Sequence, residues 1–177
     1  MDDIYKNKYR ISPARLKGWD YGSHGLYYIT ICTKNRSHYF GEIEKGENET
    51  AFLNRTEIAD VAESNWFSIP EFHPYVEVDS FVLMPNHLHG ILFINRPDKL
   101  TWSTNKFGPQ SKNLASILRG YKSSVTQYAK ENAIEFVWQP RYYDHIIRNQ
   151  KEYENIVGYI YNNPHNWLLN GDVIEDM

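Results

Sequence analysis

Short runs of β-branched and aromatic residues predict most of the strands of this chain. The run LYYITICT at 26–33 and the alternating stretch YVEVDSFVLM at 75–84 are both typical of strands. Pro85 and Asn86 have turn chemistry, so HLHGILFI at 87–94 is predicted to be the antiparallel partner of the preceding strand. A return strand is predicted near 50–53, and the segment around Pro140 is predicted to be a bent strand or a connector.

Three other stretches have apolar residues at the three- and four-residue spacing of a helix. The first covers roughly 55–69 and would be ended by Pro70. The second runs from 114 to about 132. The third begins near 150 and would end at about 162, since Pro164 is expected to stop it.

The order of these elements predicts an α+β fold in which helices pack on an antiparallel sheet. A ferredoxin-like, split βαβ arrangement is the first choice. At 177 residues the chain is long enough for one well-cored domain and short for two. We therefore expect a basic N-terminal arm at 1–24, a single domain at 25–167 and a C-terminal tail at 168–177.

The composition indicates an ordinary globular protein with many aromatic residues, because 41% of the residues are hydrophobic and 15% are aromatic. No run reaches the roughly 18 apolar residues of a membrane span, and the N-terminus lacks the apolar core of a signal peptide. The sequence therefore predicts a soluble, cytoplasmic protein without a membrane partner. The single cysteine, Cys32, excludes an internal disulfide framework and a cysteine-based metal cluster.

The net charge of -3 hides a segregation of charge along the chain. Residues 1–41 carry seven basic and three acidic side chains, and 96–151 carry ten and four; 42–79 carry two and ten. Such segregation is what one anion-binding face would require. Accidental clustering of charge in solvated loops explains the same counts equally well.

Two histidines, His87 and His89, interrupt the apolar stretch FVLMPNHLHGILF at 81–93. Residues i and i+2 of a strand point to the same face, so the two imidazoles could converge on one metal ion. Leu88 between them would point into the core. Spacing alone favours the alternative, in which the histidines are hydrogen-bonded polar residues on a sheet face.

The last predicted helix offers Tyr159 and Asn163, which lie four residues apart and so share a helix face. An amide oxygen together with two neutral imidazoles suits Mg²⁺ or Mn²⁺. A cation beside a tyrosine stabilises the phenolate, which is otherwise scarce because its pKa is near 10. The alternative is that Tyr159, one of 14 tyrosines, simply packs against the sheet.

Two segments, MPNHLHGIL at 84–92 and WQPRYYDHIIRNQKEYENIVGYIYNNPHNW at 138–167, together resemble the single-tyrosine transposases of the HUH superfamily. The similarity is to the REP-associated tyrosine transposases and their transposase-like relatives. GLYYITICTKNRSHYFGEI at 25–43 resembles the first strand of that family, and LASILRGYKSSVTQYAKEN at 114–132 resembles its long second helix. The resemblance covers about 20–167 and implies the HUH transposase fold.

This resemblance also implies roles for the candidate residues. His87 and His89 would be metal ligands, Asn163 would complete the metal site, and Tyr159 would be the nucleophile. Asparagine at 163 fits the REP-associated branch, whereas the insertion-sequence branch has glutamine at this position. Tyr161 competes as nucleophile, but a helix turns it to roughly the opposite side. Tyr142 and Tyr143 are interpreted as packing residues or DNA contacts. His145 could be a site residue or a packed strand histidine, and the second interpretation is favoured.

The implied activity is that of a metal-dependent, transposase-type endonuclease and strand transferase. It would cleave and rejoin single-stranded DNA at REP-like hairpins through a 5′-phosphotyrosine, with Mg²⁺ or Mn²⁺ as cofactor. Its partner would be single-stranded or hairpin DNA in the bacterial cytoplasm, bound by a monomer or a homodimer. Two alternatives stay open: a hairpin-binding protein that does not cleave, and a hydrolase in which the metal activates water.

Basic residues interleaved with aromatic ones are candidates for contacts with phosphates and bases. They occur mainly in the N-terminal arm, beside Tyr9, Trp19 and Tyr21, and a few lie in the second half of the chain. Each could equally be a solubilising surface charge. The candidates are Lys6, Lys8, Arg10, Arg15, Lys17, Arg119, Lys122, Arg141 and Arg148.

Overall fold

Six strands and four α-helices make up the computed structural model, which describes residues 18–97, 99, 101 and 111–172. The strands are β1 (Gly25–Cys32), β2 (Gly41–Lys45), β3 (Ala51–Arg55), β4 (Val76–Met84), β5 (His87–Ile94) and β6 (Tyr143–Ile147). The helices are α1 (Glu57–Phe67), α2 (Ile69–Phe72), α3 (Leu114–Glu131) and α4 (Gln150–Asn170). No helix in these ranges is both long enough and apolar enough to cross a membrane.

Four of the strands form one antiparallel sheet in the order β4-β5-β1-β6, and β2 and β3 form a separate hairpin. The chain passes from β1 through α1 and α2 to β4, and from β5 through α3 to β6. This is the split βαβ arrangement, so the predicted α+β, ferredoxin-like fold is confirmed. The predicted return strand near 50–53 is the second arm of the separate hairpin.

The turn between β4 and β5 lies at Pro85 and Asn86, as predicted, and Met84 pairs with His87 across it. The carbonyl oxygen of Asn86 accepts hydrogen bonds from the backbone amide and the hydroxyl of Thr33, both at 2.9 Å. Thr33 follows directly after β1. These bonds fix the start of β5 against the end of its other neighbour in the sheet.

The two faces of the sheet are both covered, by different helices. On one face Tyr27, Ile29 and Leu88 join a large core with α1 and α3. On the other face a smaller cluster packs against α4; its buried members are Tyr28, Ile91, Ile147, Ile156 and Ile160. Because strand residues alternate between faces, β5 presents His87, His89 and Ile91 to α4 and Leu88 to the large core. The acidic α1 therefore lies across the sheet from the histidines.

Two predicted helix ends are wrong. The first helix ends at Phe67, and Pro70 lies inside the short α2 that follows it. The last helix continues through Pro164 to Asn170, so residues 168–170 of the predicted tail are helical. A proline removes only one backbone donor from the helix ladder. Packing of Trp167 against His87 and His38, at ring distances of 6.0 and 5.7 Å, holds the turn beyond it.

Gly90 lets Trp66 of α1 lie directly against β5. A Cβ atom at position 90 would overlap Cζ2 of this indole and lie 3.0 Å from its Cε2. Trp66 is itself fully buried and cannot move aside without disturbing the large core.

We expect Gly90→Ala to lower the free energy of unfolding by about 1–3 kcal/mol, because overpacking strains a close-packed core. Gly120→Ala is the matched control, since a Cβ there meets nothing within 4 Å and alanine favours the helix. Urea denaturation of both variants checks this. Equal stabilities would show that the indole relocates without cost.

Candidate active site

The two histidines of β5 lie side by side in the interior. His87 and His89 are each 1% exposed, and their ring centroids are 4.6 Å apart. In the sheet they pair with Cys32 and Thr30 of β1, which face the same side. The i, i+2 spacing thus brings both imidazoles to the α4 face, as predicted, and Leu88 between them is fully buried in the large core.

Each imidazole has one nitrogen engaged and one nitrogen that has no hydrogen-bond partner among the described residues. The Nδ1 atom of His87 lies 2.7 Å from Oδ1 of Asn86. The Nδ1 atom of His89 lies 2.8 Å from the hydroxyl of Tyr28 and 2.9 Å from that of Thr30. Both Nε2 atoms are buried, and no described residue provides a hydrogen-bond partner for either. Such orphaned atoms are rare in folded proteins and require an explanation.

One row of side chains on α4 covers the histidine pair. The ring of Tyr159 meets His89 edge-on at 5.2 Å, and the ring of Trp167 lies 6.0 Å from His87. Asn163 is buried and lies midway between them, one helical turn from each. The structure therefore brings His87, His89 and Tyr159 together and places Asn163 on the same buried row of α4. Tyr161 is 83% exposed and points away.

The side chains of this site offer a metal ion two imidazole nitrogens and, from Asn163, one amide oxygen. Within the described ranges, no three histidine, cysteine, aspartate or glutamate side chains cluster so that they could hold a metal. An ion at the two Nε2 atoms would need the amide oxygen of Asn163 as its third protein ligand. Two nitrogens and one amide oxygen would leave positions open on such an ion for water or phosphate oxygens.

Burial keeps both imidazoles neutral, as metal ligands must be. Desolvation lowers the pKa of His87 well below its usual range, and His89 and Arg36 lower it further. Desolvation, with a smaller contribution from Arg36, lowers the pKa of His89 to about 3. Burial also raises the pKa of Tyr28, so its phenol stays protonated beside His89.

A pocket of about 380 Å³ adjoins the site between β6 and the first turns of α4. Tyr28 connects the two, because its ring stacks on His89 at 5.6 Å and meets Tyr143 at 6.3 Å. Tyr143 is 43% exposed. The remaining lining residues are His145, Asn149, Lys151, Glu152, Asn155 and Ile156.

His145 lies in the wall of this pocket, with its Nε2 atom 2.7 Å from Glu152. The same carboxylate accepts a bond from the amide of Arg148, and these two contacts lower its pKa, the backbone bond more strongly. His145 is therefore held by a partner on α4.

The basic candidates fall into three groups. Lys122 donates to the carbonyl oxygens of Gln139 and Arg141 at 2.8 and 3.0 Å. Its ammonium group is therefore engaged with the segment that connects α3 to β6. Three arginines, Arg119, Arg141 and Arg148, are exposed. The arm candidates Lys6, Lys8, Arg10, Arg15 and Lys17 lie outside the described residues.

Several contacts of the site were missed by sequence reasoning. Trp167 lies four residues after Asn163, so the helical period would have found it had the helix not been ended at Pro164. Tyr28 and Thr30 alternate with core residues of β1 and could have been assigned to the histidine face. Asn86 was recognised only as a turn residue, because nothing in its sequence context indicates a bond to the neighbouring imidazole.

No family model matches this chain. An uncharacterized protein of Haemophilus influenzae is 42% identical over 162 residues, which span 86% of this chain and 87% of that protein. A REP-associated tyrosine transposase of Escherichia coli is 31% identical over 94 residues, 52% of this chain and 47% of that protein. A putative REP-associated tyrosine transposase of Haemophilus influenzae is 23% identical over 150 residues, which span 82% of this chain and 73% of that protein.

Among solved structures, that of a REP-associated tyrosine transposase bound to a REP hairpin is similar to this chain. The TM-score is 0.53 at 24% identity, over 85% of this chain and 69% of the other. This likeness shows that the two proteins share a fold.

The depressed pKa of His89 predicts how stability depends on pH in metal-free protein. The unfolded chain takes up a proton at His89 near pH 6.5, whereas the folded protein does so only near pH 3. The free energy of unfolding therefore falls as pH drops below 6.5, by about 1.4 kcal/mol per pH unit for this residue. The free energy of unfolding is measured in EDTA at several pH values between 6 and 4. Its slope against pH should be shallower in His89→Gln than in the unmodified protein, by the equivalent of one proton. Equal slopes would mean that the folded protein protonates His89 in this range.

Proposed function

We propose that this chain, which belongs to the family of REP-associated tyrosine transposases and their transposase-like relatives, cleaves and rejoins single-stranded DNA with Tyr159 as its nucleophile. The family gives the chain a transposase-like function in DNA processing. The position of Tyr159 beside two buried imidazoles with unpartnered Nε2 atoms is the observation that carries the finer proposal.

The reaction proceeds by exchange of one phosphate ester for another. The phenolic oxygen of Tyr159 attacks the phosphorus of a DNA phosphodiester, and the bond from phosphorus to the 3′ oxygen breaks. The proton lost by the phenol ends on the released 3′-hydroxyl, and the 5′-phosphate stays on the tyrosine. Attack by another 3′-hydroxyl reverses these steps and joins the strands, so no ATP is needed.

His87, His89 and the amide oxygen of Asn163 would hold a Mg²⁺ or Mn²⁺ ion. When bound, such an ion would offset negative charge on the scissile phosphate and on the attacking oxygen. The protein's own contribution is rigid placement. Asn163 and Tyr159 project from the same face of α4, so the helix that supplies the nucleophile also closes the ligand set.

The substrate we propose is hairpin DNA with a single-stranded flank. A structural relative is bound to a REP hairpin, which supports this substrate class. The pocket next to Tyr28 suits a nucleotide beside the scissile phosphate, because the exposed ring of Tyr143 offers a stacking surface and Lys151 a positive charge. We propose that the basic arm and the exposed Arg119, Arg141 and Arg148 contact the DNA backbone.

A covalent adduct is the direct test of this mechanism. Hairpin DNA with a single-stranded flank, mixed with the protein and Mn²⁺, should give an adduct that survives denaturation. Tyr159→Phe should abolish it, because the phenyl ring keeps the packing on His89 and lacks the attacking oxygen. The adduct is measured by gel shift and by mass spectrometry of the modified peptide.

Tyr161→Phe is the matched control, since this tyrosine lies two residues away on the exposed side of α4 and should leave the adduct unchanged. An adduct that persists in Tyr159→Phe would show that the nucleophile is another residue. Cleavage without an adduct that survives Tyr159→Phe and is lost in His87→Ala would instead support a water-activating hydrolase. Binding without cleavage would support a hairpin-binding protein.

Metal binding is tested separately by titration of the protein with Mn²⁺, followed by electron paramagnetic resonance. His89→Ala and Asn163→Ala should each weaken Mn²⁺ binding by more than about tenfold, since loss of even an outer partner of a ligand costs that much. His165 is an exposed histidine on the same helix, so His165→Ala should bind Mn²⁺ as the unmodified protein does. Unchanged affinity in both site variants would place the ion elsewhere.

A further inference from the structure

The side chain of Asn86 is fully buried and lies between two acceptors and one imidazole. Its Nδ2 atom donates to Oδ2 of Asp172 at 2.7 Å and to the carbonyl oxygen of Arg36 at 3.3 Å. Its Oδ1 atom lies 2.7 Å from Nδ1 of His87. Asn86 therefore connects a carboxylate at the end of the chain's last helix with one of the two histidines.

Hydrogen-bond chemistry fixes the orientation of this amide. A carboxylate and a carbonyl oxygen can only accept, so the NH₂ end of Asn86 must face Asp172 and Arg36. The oxygen end must then face His87. Because an amide oxygen can only accept, Nδ1 of His87 must carry the hydrogen. In the neutral ring this leaves the lone pair on Nε2, which is the buried atom without a partner.

We propose that Asp172 is a positioning residue that sets the tautomer of His87 through Asn86. The chain of carboxylate, amide and imidazole holds the hydrogen on Nδ1 and keeps Nε2 available to bind a metal. Outer-shell carboxylates commonly orient metal-binding histidines in this way, usually by direct contact. Here the carboxylate acts through an amide. The NH₂ group of Asn86 donates to Asp172, and this orients its oxygen toward Nδ1 of His87. The relevance of this to catalysis rests on the function proposed above.

The position of Asp172 links this tautomer to the seating of α4. The helix ends at Asn170, and Gly171 has a φ of 72°, a left-handed conformation that glycine adopts without strain. This turn directs Asp172 back toward the β4–β5 turn, where Arg36 lies 3.7 Å from its carboxylate. The contact that orients His87 also ties down the end of the helix that carries Tyr159 and Asn163.

The experiment reads the tautomer directly in metal-free protein. Long-range ¹H–¹⁵N NMR spectra distinguish a protonated ring nitrogen from one with a lone pair. In the unmodified protein His87 should show a protonated Nδ1 and an unprotonated Nε2. Asp172→Ala leaves the amide of Asn86 with only its longer bond to the carbonyl oxygen of Arg36, so His87 should become a mixture of tautomers. Mn²⁺ affinity should fall by about 10- to 100-fold.

Asp172→Asn is the conservative variant, because the new side chain still offers an oxygen to Nδ2 of Asn86. It should keep the tautomer of His87 and most of the Mn²⁺ affinity. His89 is an internal reference, since its Nδ1 atom contacts Tyr28 and Thr30 and not Asn86. Its resonances should be the same in all three proteins, which separates a local change from a loss of structure.

Three results would overturn the proposal. They are a hydrogen on Nε2 of His87 in the unmodified protein, an unchanged tautomer in Asp172→Ala, and a tautomer lost in Asp172→Asn. The last would mean that charge acts in place of the hydrogen-bonded chain. These readouts do not depend on cleavage, so a failed adduct assay with the expected spectra would remove the proposed function and leave the positioning chain intact.

Discussion

The alternation of β5 between two buried faces is the constraint on which the rest of this structure depends. A strand covered on one face could send its polar residues to solvent, but β5 has helices over both. On one face, Leu88 packs in the large core and Gly90 leaves room for the indole of Trp66. His87 and His89 must therefore enter the smaller layer under α4, where they meet each other and little water. This burial lowers the pKa of both imidazoles and keeps them neutral, which is the state that a metal ligand requires.

Burial of two imidazoles with unpartnered nitrogens opposes folding, since each lost hydrogen bond costs about 1–3 kcal/mol. The surrounding residues provide a hydrogen-bond partner for only one of the two nitrogens in each ring. Both Nδ1 atoms have close partners, supplied by the turn before β5 and by two hydroxyls of β1. Both Nε2 atoms are left toward α4. A fold selected for stability alone would have apolar residues here, so the unmet polar groups indicate a binding function.

Prediction from sequence succeeded where a residue's role follows from local periodicity. The i, i+2 histidines and the i, i+4 pair of Tyr159 and Asn163 share faces for geometric reasons that hold in any strand or helix. It failed where tertiary packing overrides a local rule. Pro164 should end a helix, yet Trp167 has ring partners in a distant loop and on β5 that outweigh one missing bond. Asp172 has no periodic signal at all, because its importance comes from a partner 86 positions away in sequence.

The same helix supplies the proposed nucleophile and the third proposed ligand, and this has a mechanical consequence. A shift of α4 along the sheet would move Tyr159 and Asn163 together, so their mutual geometry is preserved while their distance to the histidines changes. Ile156 and Ile160 resist such a shift through apolar packing, which is not directional and tolerates small displacements. The hydrogen bond that Asn86 donates to Asp172 is directional and tolerates little displacement. Directional bonds therefore set the register of α4 on the sheet at both ends, from Asn86 to Asp172 next to His87 and from His145 to Glu152 near its N-terminus. The apolar contacts between these two bonds hold the helix there.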